Sequence, residues 1–332
     1  MDPVASRTAA IPAASDAAIP LEAIRAAQSR IAGDVLRTPL VRLNVDDAPA
    51  QIYLKLECLQ PIGSFKLRGA SNAIATAPPD ALAQGVWTAS AGNMAQGVAW
   101  QARARGLACT VVAPDHAPET KLAAIRRLGA RVVQAPYREW FQVLVTRAYP
   151  GVEGFFIHPV SDPAVMAGNG TIGLEILEDL PDVNTIVVPY GGGGLSCGIA
   201  SAVRALKPDT RIFACEPATA APLAASLAAG EPRSVEYTPS FVDGAGSPSV
   251  LEDMWPRVSR LLDGSLVMGL EAIAAAIRLL AERNRVIAEG AGAISVAAAL
   301  SGKAGTGKVV CVVSGGNIDA KKLARILEGG MP

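Results

Sequence analysis

Short apolar runs alternate with longer Ala-rich stretches along most of this chain. The runs are rich in β-branched residues, as in Val309–Val313 (VVCVV), which is typical of strands buried on both faces. The stretches between them, such as Gly194–Leu206, have the length and composition of helices. The alternation predicts an α/β fold in which helices cover parallel sheets. The other predicted strands are Ile52–Leu56, Cys109–Ala113, Arg131–Gln134, Thr185–Val188 and Arg211–Cys215, and the other predicted helices are Ala95–Arg105, Lys121–Leu128 and Leu270–Arg285.

The charge balance excludes two classes of partner. The 332 residues include 30 Lys plus Arg and 30 Asp plus Glu, so no basic excess attracts nucleic acid or an anionic membrane. Every apolar run is too short to span a bilayer. Since 50% of the residues are hydrophobic, the chain can form more than one buried core.

The N-terminal segment and the cysteines indicate a compartment. Residues 1–18 are rich in Ala, Ser and Pro and lack the basic and apolar regions of a secretory signal. We therefore expect a disordered lead-in and a cytoplasmic protein. The five cysteines form no Cys-x-x-Cys pair and mostly lie in apolar runs, which favours free buried thiols.

Four consecutive glycines follow one predicted strand and precede a predicted helix. A loop such as Gly191–Gly194 can direct several backbone N–H groups at an anion, for which phosphate is the natural candidate. A flexible turn is the alternative interpretation. The dinucleotide pattern Gly-x-Gly-x-x-Gly fails in every register, because Leu195, Ser196 or Cys197 occupies a required glycine position. A nicotinamide cofactor is therefore disfavoured.

Lys66 stands between apolar neighbours at the start of a predicted helix, in the run Gly63–Ala70 (GSFKLRGA). An apolar setting disfavours the charged form of an amine, which can then act as a nucleophile and a base. On this feature alone, a solvated surface lysine would be the simpler interpretation.

Two further loops have the composition of ligand sites. Ser90–Gly97 (SAGNMAQG) opens a helix with small residues, which suits either a bound carboxylate or an ordinary helix cap. Ser314 starts a Ser-Gly-Gly-Asn run after the VVCVV strand. It thus places a hydroxyl at the carboxyl end of a strand, where α/β sheets bind ligands, although a tight turn is equally possible.

The residues that two other kinds of site require are absent from the sequence. Gly302–Val309 (GKAGTGKV) approaches a P-loop, but Val309 replaces the Ser or Thr that would hold Mg²⁺, and the segment precedes a strand. The two histidines, His116 and His158, form no zinc-binding pattern, and we expect both to be structural.

Taken in order, these motifs resemble the fold-type II pyridoxal-phosphate (PLP) enzymes, in their threonine/serine dehydratase and serine racemase branch. The similarity runs from about Leu36 to the C-terminus, and the Ser-Phe-Lys-x-Arg-Gly-Ala form is closer to dehydratases than to cysteine or threonine synthases. It implies two open parallel-sheet domains, as in the tryptophan synthase β chain, with PLP between them. It also implies a large domain of residues 19–84 plus 162–332, a small mobile domain of residues 85–161, and a homodimer.

The resemblance implies a role for each site residue. Lys66 would hold PLP as a Schiff base and act as the catalytic base. Phe65 and Gly244 would lie near the ring, Asn93 at its phenolic oxygen and Ser314 at its pyridine nitrogen. The phosphate would be bound by Gly191, Gly192, Gly193, Gly194 and Leu195, and the substrate carboxylate by Ser90, Ala91, Gly92, Asn93 and Met94.

The predicted activity is β-elimination from an L-β-hydroxy-α-amino acid such as L-threonine or L-serine, giving a 2-oxo acid and ammonia. A hydroxyl such as that of Ser314 cannot keep the pyridine nitrogen protonated, which favours prompt loss of a β-leaving group. The alternatives are a lyase for aryl or acidic β-hydroxy amino acids (phenylserine or hydroxyaspartate type), an amino acid racemase, and a PLP-binding protein without turnover. Ala91 disfavours the racemase, because serine racemases carry a proton-donating serine there.

Three departures from the family pattern bear on specificity and metal binding. Met94 replaces the His of many relatives. The bulky tract around Trp140 and Phe141 favours core packing, with an altered substrate pocket as the alternative. Metal sites in the family use an acidic pair, of which Glu216 matches the first member while Pro222 replaces the second, so we expect no metal.

Overall fold

A computed structural model describes residues 17–332. The predicted disordered lead-in over residues 1–18 therefore lies, except for its last two residues, outside the described residues. From there on the chain is docked on the fold, since Ala17 is buried and the N–H of Ile19 donates to Ser201 Oγ at 2.9 Å.

Strands and helices alternate along the described chain, as the hydrophobic pattern predicts. The strands are β1 (Leu40–Arg42), β2 (Gln51–Lys55), β3 (Val86–Ala89), β4 (Cys109–Pro114), β5 (Arg131–Ala135), β6 (Phe155–Phe156), β7 (Thr185–Pro189), β8 (Arg211–Pro217), β9 (Gly264–Met268) and β10 (Lys308–Val312). The helices are α1 (Leu21–Ile31), α2 (Lys66–Thr76), α3 (Pro79–Leu82), α4 (Asn93–Ala104), α5 (Glu119–Arg127), α6 (Tyr137–Thr146), α7 (Pro163–Asp179), α8 (Gly194–Leu206), α9 (Pro222–Ala229), α10 (Trp255–Leu261), α11 (Leu270–Leu279), α12 (Gly290–Leu300) and α13 (Ala320–Leu327).

The strands form two sheets. The larger has the order β1-β2-β10-β7-β8-β9 and is parallel except for the antiparallel edge pair β1–β2. The smaller has the order β5-β4-β3-β6 and is parallel throughout. The predicted α/β fold with two parallel sheets is therefore confirmed. None of the described helices is both long and apolar enough to cross a bilayer.

All six predicted strands are present, with ends shifted by one or two residues. The predicted helix Leu270–Arg285 is α-helical only to Leu279, after which Leu280–Asn284 form a π-helical turn. The pattern does not predict β1, β3, β6 and β9, because β1 and β6 span only three and two residues and β3 and β9 mix polar with apolar residues. Pairing with neighbouring strands, which is not a local property, makes them strands.

Helix α2 connects the two units. Its residues Ala70, Ala73 and Ile74 belong to the same apolar core as Val86 of β3 and Val98 of α4. The core of the smaller sheet thus includes residues that precede position 85 in the sequence. The exact domain boundaries and the mobility of the smaller unit stay predictions.

A buried group of four charged side chains fixes α2 from its other side. Arg68 is 1% exposed, and its guanidinium donates to both carboxylate oxygens of Glu57, each at 2.8 Å. It also donates to both oxygens of Glu175, at 2.7 and 2.9 Å. Lys55 completes the group with a 2.6 Å bond to Glu175. Two positive and two negative charges cancel, as the interior of a protein requires.

These contacts keep Arg68 and Glu57 charged. Burial alone would lower the pKa of Arg68, but Glu57 and Glu175 raise it above its ordinary value. Burial alone would raise the pKa of Glu57, but Arg68 and the Thr38 hydroxyl lower it. Because Glu175 belongs to α7, the ion pairs tie the start of α2 to the helices of the larger sheet.

We expect Glu175→Gln to destabilise the protein by about 3–5 kcal/mol, because Arg68 and Lys55 would share one remaining carboxylate in the interior. Glu178→Gln is the matched control on the same helix, since Glu178 pairs with Arg37 at the surface and its side chain is 51% exposed. Its expected cost is about 0–1 kcal/mol. Urea unfolding followed by circular dichroism measures both, and equal losses would contradict a special role for the buried group.

Candidate active site

The loop that leads into Lys66 is hydrogen-bonded to the loop that follows β10. The N–H of Phe65 donates to the carbonyl of Ser314 at 3.0 Å, and Ser64 pairs with Gly315 as an isolated antiparallel bridge. Gly63 has a φ of +74°, and a Cβ there would lie 2.6 Å from Asn317 Oδ1. The close approach of the two loops therefore requires glycine at position 63.

The amine of Lys66 lies in a mostly apolar setting at the first position of α2. Its Nζ donates to the carbonyl of Pro159 at 2.7 Å and is 5.1 Å from the centroid of the Phe65 ring. The residue keeps some accessible surface, but the protein around the amino group desolvates it and lowers its pKa to about 8. A substantial fraction of neutral amine is thus present near neutral pH, as a nucleophile or base requires.

The glycine loop between β7 and α8 lies beside this amine. A Cβ on Gly192 would lie 2.6 Å from Val160 Cγ2, and one on Gly194 would lie 2.5 Å from the carbonyl of Val160. Gly193 has a φ of +96°, which only glycine adopts readily. Since Val160 follows the acceptor of the Lys66 amine, the loop is brought next to Lys66. The first N–H groups of α8 have no intrahelical partner and are suited to an anion.

Gly244 lies at the other end of the glycine loop. A Cβ on Gly191 would lie 3.2 Å from the carbonyl of Gly244, and the N–H of Gly246 donates to the carbonyl of Tyr190 at 2.7 Å. Asp243, beside Gly244, forms an ion pair with Lys121 of α5. This pair joins the Gly244 loop to the helix layer of the smaller sheet.

The loop predicted to bind a carboxylate opens α4. The N–H of Gly92 donates to Ser90 Oγ at 3.1 Å, while Ala91 and Gly92 stay partly accessible. Met94 is 2% exposed and its side chain lies in the apolar core of the smaller sheet. Met94 therefore offers a ligand its backbone N–H and not its side chain.

Ser314 is buried between the lysine loop and α12. Its Oγ donates to the carbonyl of Ala291 at 3.3 Å, and its own carbonyl accepts from Phe65. A neutral hydroxyl thus lies at the carboxyl end of β10, as expected from the sequence.

Glu289, which belongs to none of the motifs in the sequence, lies among the predicted residues. Asn93 Nδ2 donates to Glu289 Oε1 at 2.8 Å, and Asn93 Oδ1 accepts from Asn317 Nδ2 at 2.8 Å. A Cβ on Gly244 would lie 3.5 Å from Glu289 Oε1. The available signal was an acidic residue in an apolar run, Val286–Gly290 (VIAEG), just before a helix.

His158 has a structural role, as expected, although it supports the site. Its Nδ1 accepts from the N–H groups of Val160 and Ser161 at 3.0 and 2.8 Å, and its Nε2 lies 3.0 Å from the carbonyl of Leu144. Burial lowers its pKa, so the ring is neutral with its proton on Nε2. The imidazole thus fixes the turn that carries Pro159 and Val160. His116 is exposed beside Asp115.

Only part of the aromatic tract of α6 packs in the hydrophobic core. Trp140 packs against the apolar cluster that contains Trp87 and Val143. Tyr137, by contrast, is 47% exposed, and its ring centroid lies 5.5 Å from that of His116 and 5.6 Å from that of Trp140. Core packing therefore describes Trp140 and not Tyr137.

The carboxylate of Glu216 is occupied by donors from the protein. Its two oxygens accept from the N–H groups of Leu223 and Ala224, each at 2.9 Å, and from Ser265 Oγ at 2.6 Å. Burial raises the pKa of Glu216, and these three donors partly offset the rise. No group of three or more His, Cys, Asp or Glu within residues 17–332 is arranged to hold a metal ion.

The residues brought together at the carboxyl ends of the larger sheet fit PLP. A phosphorylated aromatic aldehyde needs an amine, a phosphate site and a polar partner for its ring. The site offers the desolvated Lys66 amine, a glycine loop too close to Val160 to carry side chains, and the buried Ser314 hydroxyl. Val160 and the Gly244 loop hold these groups together through backbone contacts.

Comparison with known proteins identifies the family. The family model described as "Pyridoxal-phosphate dependent enzyme" matches residues 31–315, so the chain belongs to that family and PLP is its cofactor. It is 42% identical to the L-threonine ammonia-lyase of Geobacter sulfurreducens, over 94% of this chain and 79% of that protein. It is 36% identical to the catabolic L-threonine dehydratase TdcB of Escherichia coli, over 94% of this chain and 97% of the relative. The solved structure of maize serine racemase superimposes with a TM-score of 0.85 at 35% identity, covering 94% of this chain and 98% of that one. The resemblance seen in the sequence is thereby confirmed.

We expect the protein to be independent of divalent cations, because the Glu216 carboxylate already accepts from three internal donors and Pro222 has no side-chain oxygen. Dialysis against a chelator should leave the melting temperature and the activity unchanged. A parallel dialysis without chelator is the control. A loss that Mg²⁺ or Ca²⁺ restores would show that other oxygen ligands replace the missing acid.

Proposed function

We propose that this chain is an ammonia-lyase that converts L-threonine or L-serine into a 2-oxo acid and ammonia. The observation that carries the proposal is the position of the Lys66 amine, which is bonded to Pro159 beside Val160 and thus beside the glycine loop. Relatives named L-threonine ammonia-lyase and L-threonine dehydratase support the same activity.

The chemistry that PLP supplies when bound is electron withdrawal from the α-carbon of the amino acid, which acidifies the α-proton and permits loss of the β-hydroxyl. Lys66 is the proposed base for that proton. Its pKa of about 8 leaves enough neutral amine near neutral pH for the transfer. The carbonyl of Pro159 directs the amine through a 2.7 Å bond.

The proposed carboxylate site is the N-terminus of α4. The first N–H groups of a helix have no intrahelical acceptor and carry partial positive charge, so they stabilise an anion without a cationic side chain. Ser90 orders the loop by accepting from Gly92, and Ala91 and Gly92 leave space above the helix. The proposed phosphate ligands are Gly191–Gly194 and Leu195, and the proposed ring contacts are Phe65, Asn93, Gly244 and Ser314.

A racemase is the second candidate, because the structure of maize serine racemase covers nearly the whole chain. Racemisation requires a proton donor on each face of a planar carbon, whereas elimination requires only one base. Lys66 serves one face. At Ala91 the loop has a methyl group in place of a hydroxyl, so the position offers no donor. This residue favours elimination.

The proposed function predicts that L-threonine and L-serine yield 2-oxo acid while the remaining substrate stays in the L form. A lactate-dehydrogenase-coupled assay measures the 2-oxo acid, and chiral chromatography measures the amino acid. L-threo-phenylserine and L-threo-hydroxyaspartate extend the test to the aryl and acidic alternatives. If either compound is converted faster than L-threonine and L-serine, it is the preferred substrate in their place.

Ala91→Ser is the matched variant for the same assay. An added hydroxyl that reaches the second face should raise exchange of the α-proton or elimination from D-serine. Racemised amino acid that forms in the unaltered protein as fast as the 2-oxo acid would contradict the lyase assignment.

We further propose a cytoplasmic homodimer. The free cysteines are compatible with a reducing compartment. Leu59 and Ile287 are exposed apolar residues on one surface, because Cys58 and the carbonyl of Ile287 both flank Gly316. Sedimentation equilibrium measures the assembly, and a single-chain mass would contradict the dimer.

A further inference from the structure

Three polar side chains from distant loops meet at the candidate site. Asn93 begins α4, Glu289 precedes α12, and Asn317 follows β10. Asn93 donates to Glu289 Oε1 and accepts from Asn317, each at 2.8 Å. Asn317 Nδ2 is itself anchored on the carbonyl of Ile62 at 2.8 Å. The amide of Asn93 is thus held at its oxygen and its nitrogen, which fixes its plane and leaves one N–H free.

We propose that Glu289 is a positioning residue that holds Asn93 in the orientation required to contact the cofactor ring. The inference rests on the proposed function in one respect, namely the assignment of Asn93 to the ring. It extends the site by a residue that makes no proposed contact with substrate.

The position of the Glu289 side chain excludes ordinary helix capping. Glu289 is the N-cap residue of α12, where an acidic side chain would normally accept from the N–H groups of its own helix. It makes no such bond and reaches Asn93 instead. Its backbone N–H donates to the carbonyl of Gly315 at 3.0 Å, so main chain and side chain both bind site loops.

The surrounding backbone is shaped to admit this carboxyl group. A Cβ on Gly315 would lie 2.4 Å from Glu289 Oε1, whereas one on Gly244 would lie 3.5 Å from the same oxygen, which is ordinary van der Waals contact. Both glycines belong to loops already assigned to the site. The carboxyl group therefore occupies space that Gly315 leaves open by lacking a side chain.

The surroundings of Glu289 raise the pKa of its carboxyl group into the neutral range. Burial raises its pKa to about 7, with a further rise from Asp243, while Asn93, Lys121 and the backbone of Asn317 oppose the rise. Cys58, which precedes the lysine loop, is another titratable neighbour, and burial, followed by the charge of Glu57 and then that of Glu289, raises its pKa to about 12. Glu289 is thus mainly neutral below about pH 7 and mainly charged above it.

The test compares Glu289→Gln and Glu289→Ala by the dissociation constant of the apoprotein for PLP, measured by fluorescence titration. Gln keeps the acceptor and mimics the neutral acid, so binding should stay within about twofold below pH 7. Ala removes the support of Asn93 and should weaken binding about tenfold or more. Glu271→Ala, an exposed acid in the first turn of α11, is the control and should change nothing. Melting temperatures of the apoproteins identify any variant that fails to fold.

A double-mutant cycle tests whether Glu289 acts through Asn93. If it does, Glu289→Ala should add little to the loss caused by Asn93→Ala, and the double variant should bind PLP within about threefold of the Asn93 single variant. Multiplicative losses would overturn the positioning role. Unchanged PLP binding in Glu289→Ala would overturn it as well.

The pH dependence supplies a readout that a merely structural role would not move. The PLP dissociation constants of the unaltered protein and Glu289→Gln should agree near pH 6 and diverge near pH 8, because only the former gains a buried charge. Lys66 titrates in both proteins, so their difference isolates Glu289. Curves that superimpose throughout would contradict the inference. All three readouts use PLP without substrate, so failure of the lyase activity alone leaves them interpretable.

Discussion

The buried guanidinium of Arg68 is the constraint on which the rest of the site depends. It stands two residues after Lys66 and donates four hydrogen bonds to Glu57 and Glu175, and Lys55 donates one more to Glu175. A buried ion is tolerated only with its full set of partners, so the start of α2 has one permitted position. The amine of Lys66 is therefore placed by charges that take no part in the chemistry.

Backbone proximity defines the rest of the site. Glycines at the phosphate loop, at Gly244 and at Gly315 lie where any Cβ would collide with Val160, Ala291 or Glu289. These close backbone contacts bring the ends of distant strands together and leave backbone N–H groups available to bind an anion. The side chains that remain, above all Lys66 and Asn93, then have fixed partners in Pro159 and Glu289.

Local features of the sequence predicted much of this arrangement. The VVCVV run, the four glycines and the lysine loop each carry their signal within a few residues, and the structure brings all three together. Glu289 and Pro159 had no comparable signal, because their partners lie 196 and 93 positions away and one contact is made by a backbone carbonyl. Glu216 was identifiable in the sequence, but the hydrogen bonds that it accepts from the first turn of α9 depend on tertiary structure. The local sequence pattern thus predicts which residues belong to the site, whereas their contacts depend on tertiary packing.

Covalent mapping of the cofactor tests the central claim, that Lys66 is the residue to which PLP is attached. Borohydride reduction of the PLP-loaded protein fixes the link, and digestion followed by peptide mass spectrometry locates it. We expect the label on Lys66, in the peptide that contains Ser64 and Phe65. A label on another lysine, such as Lys55 or Lys121, or no label on a protein that binds PLP, would contradict it.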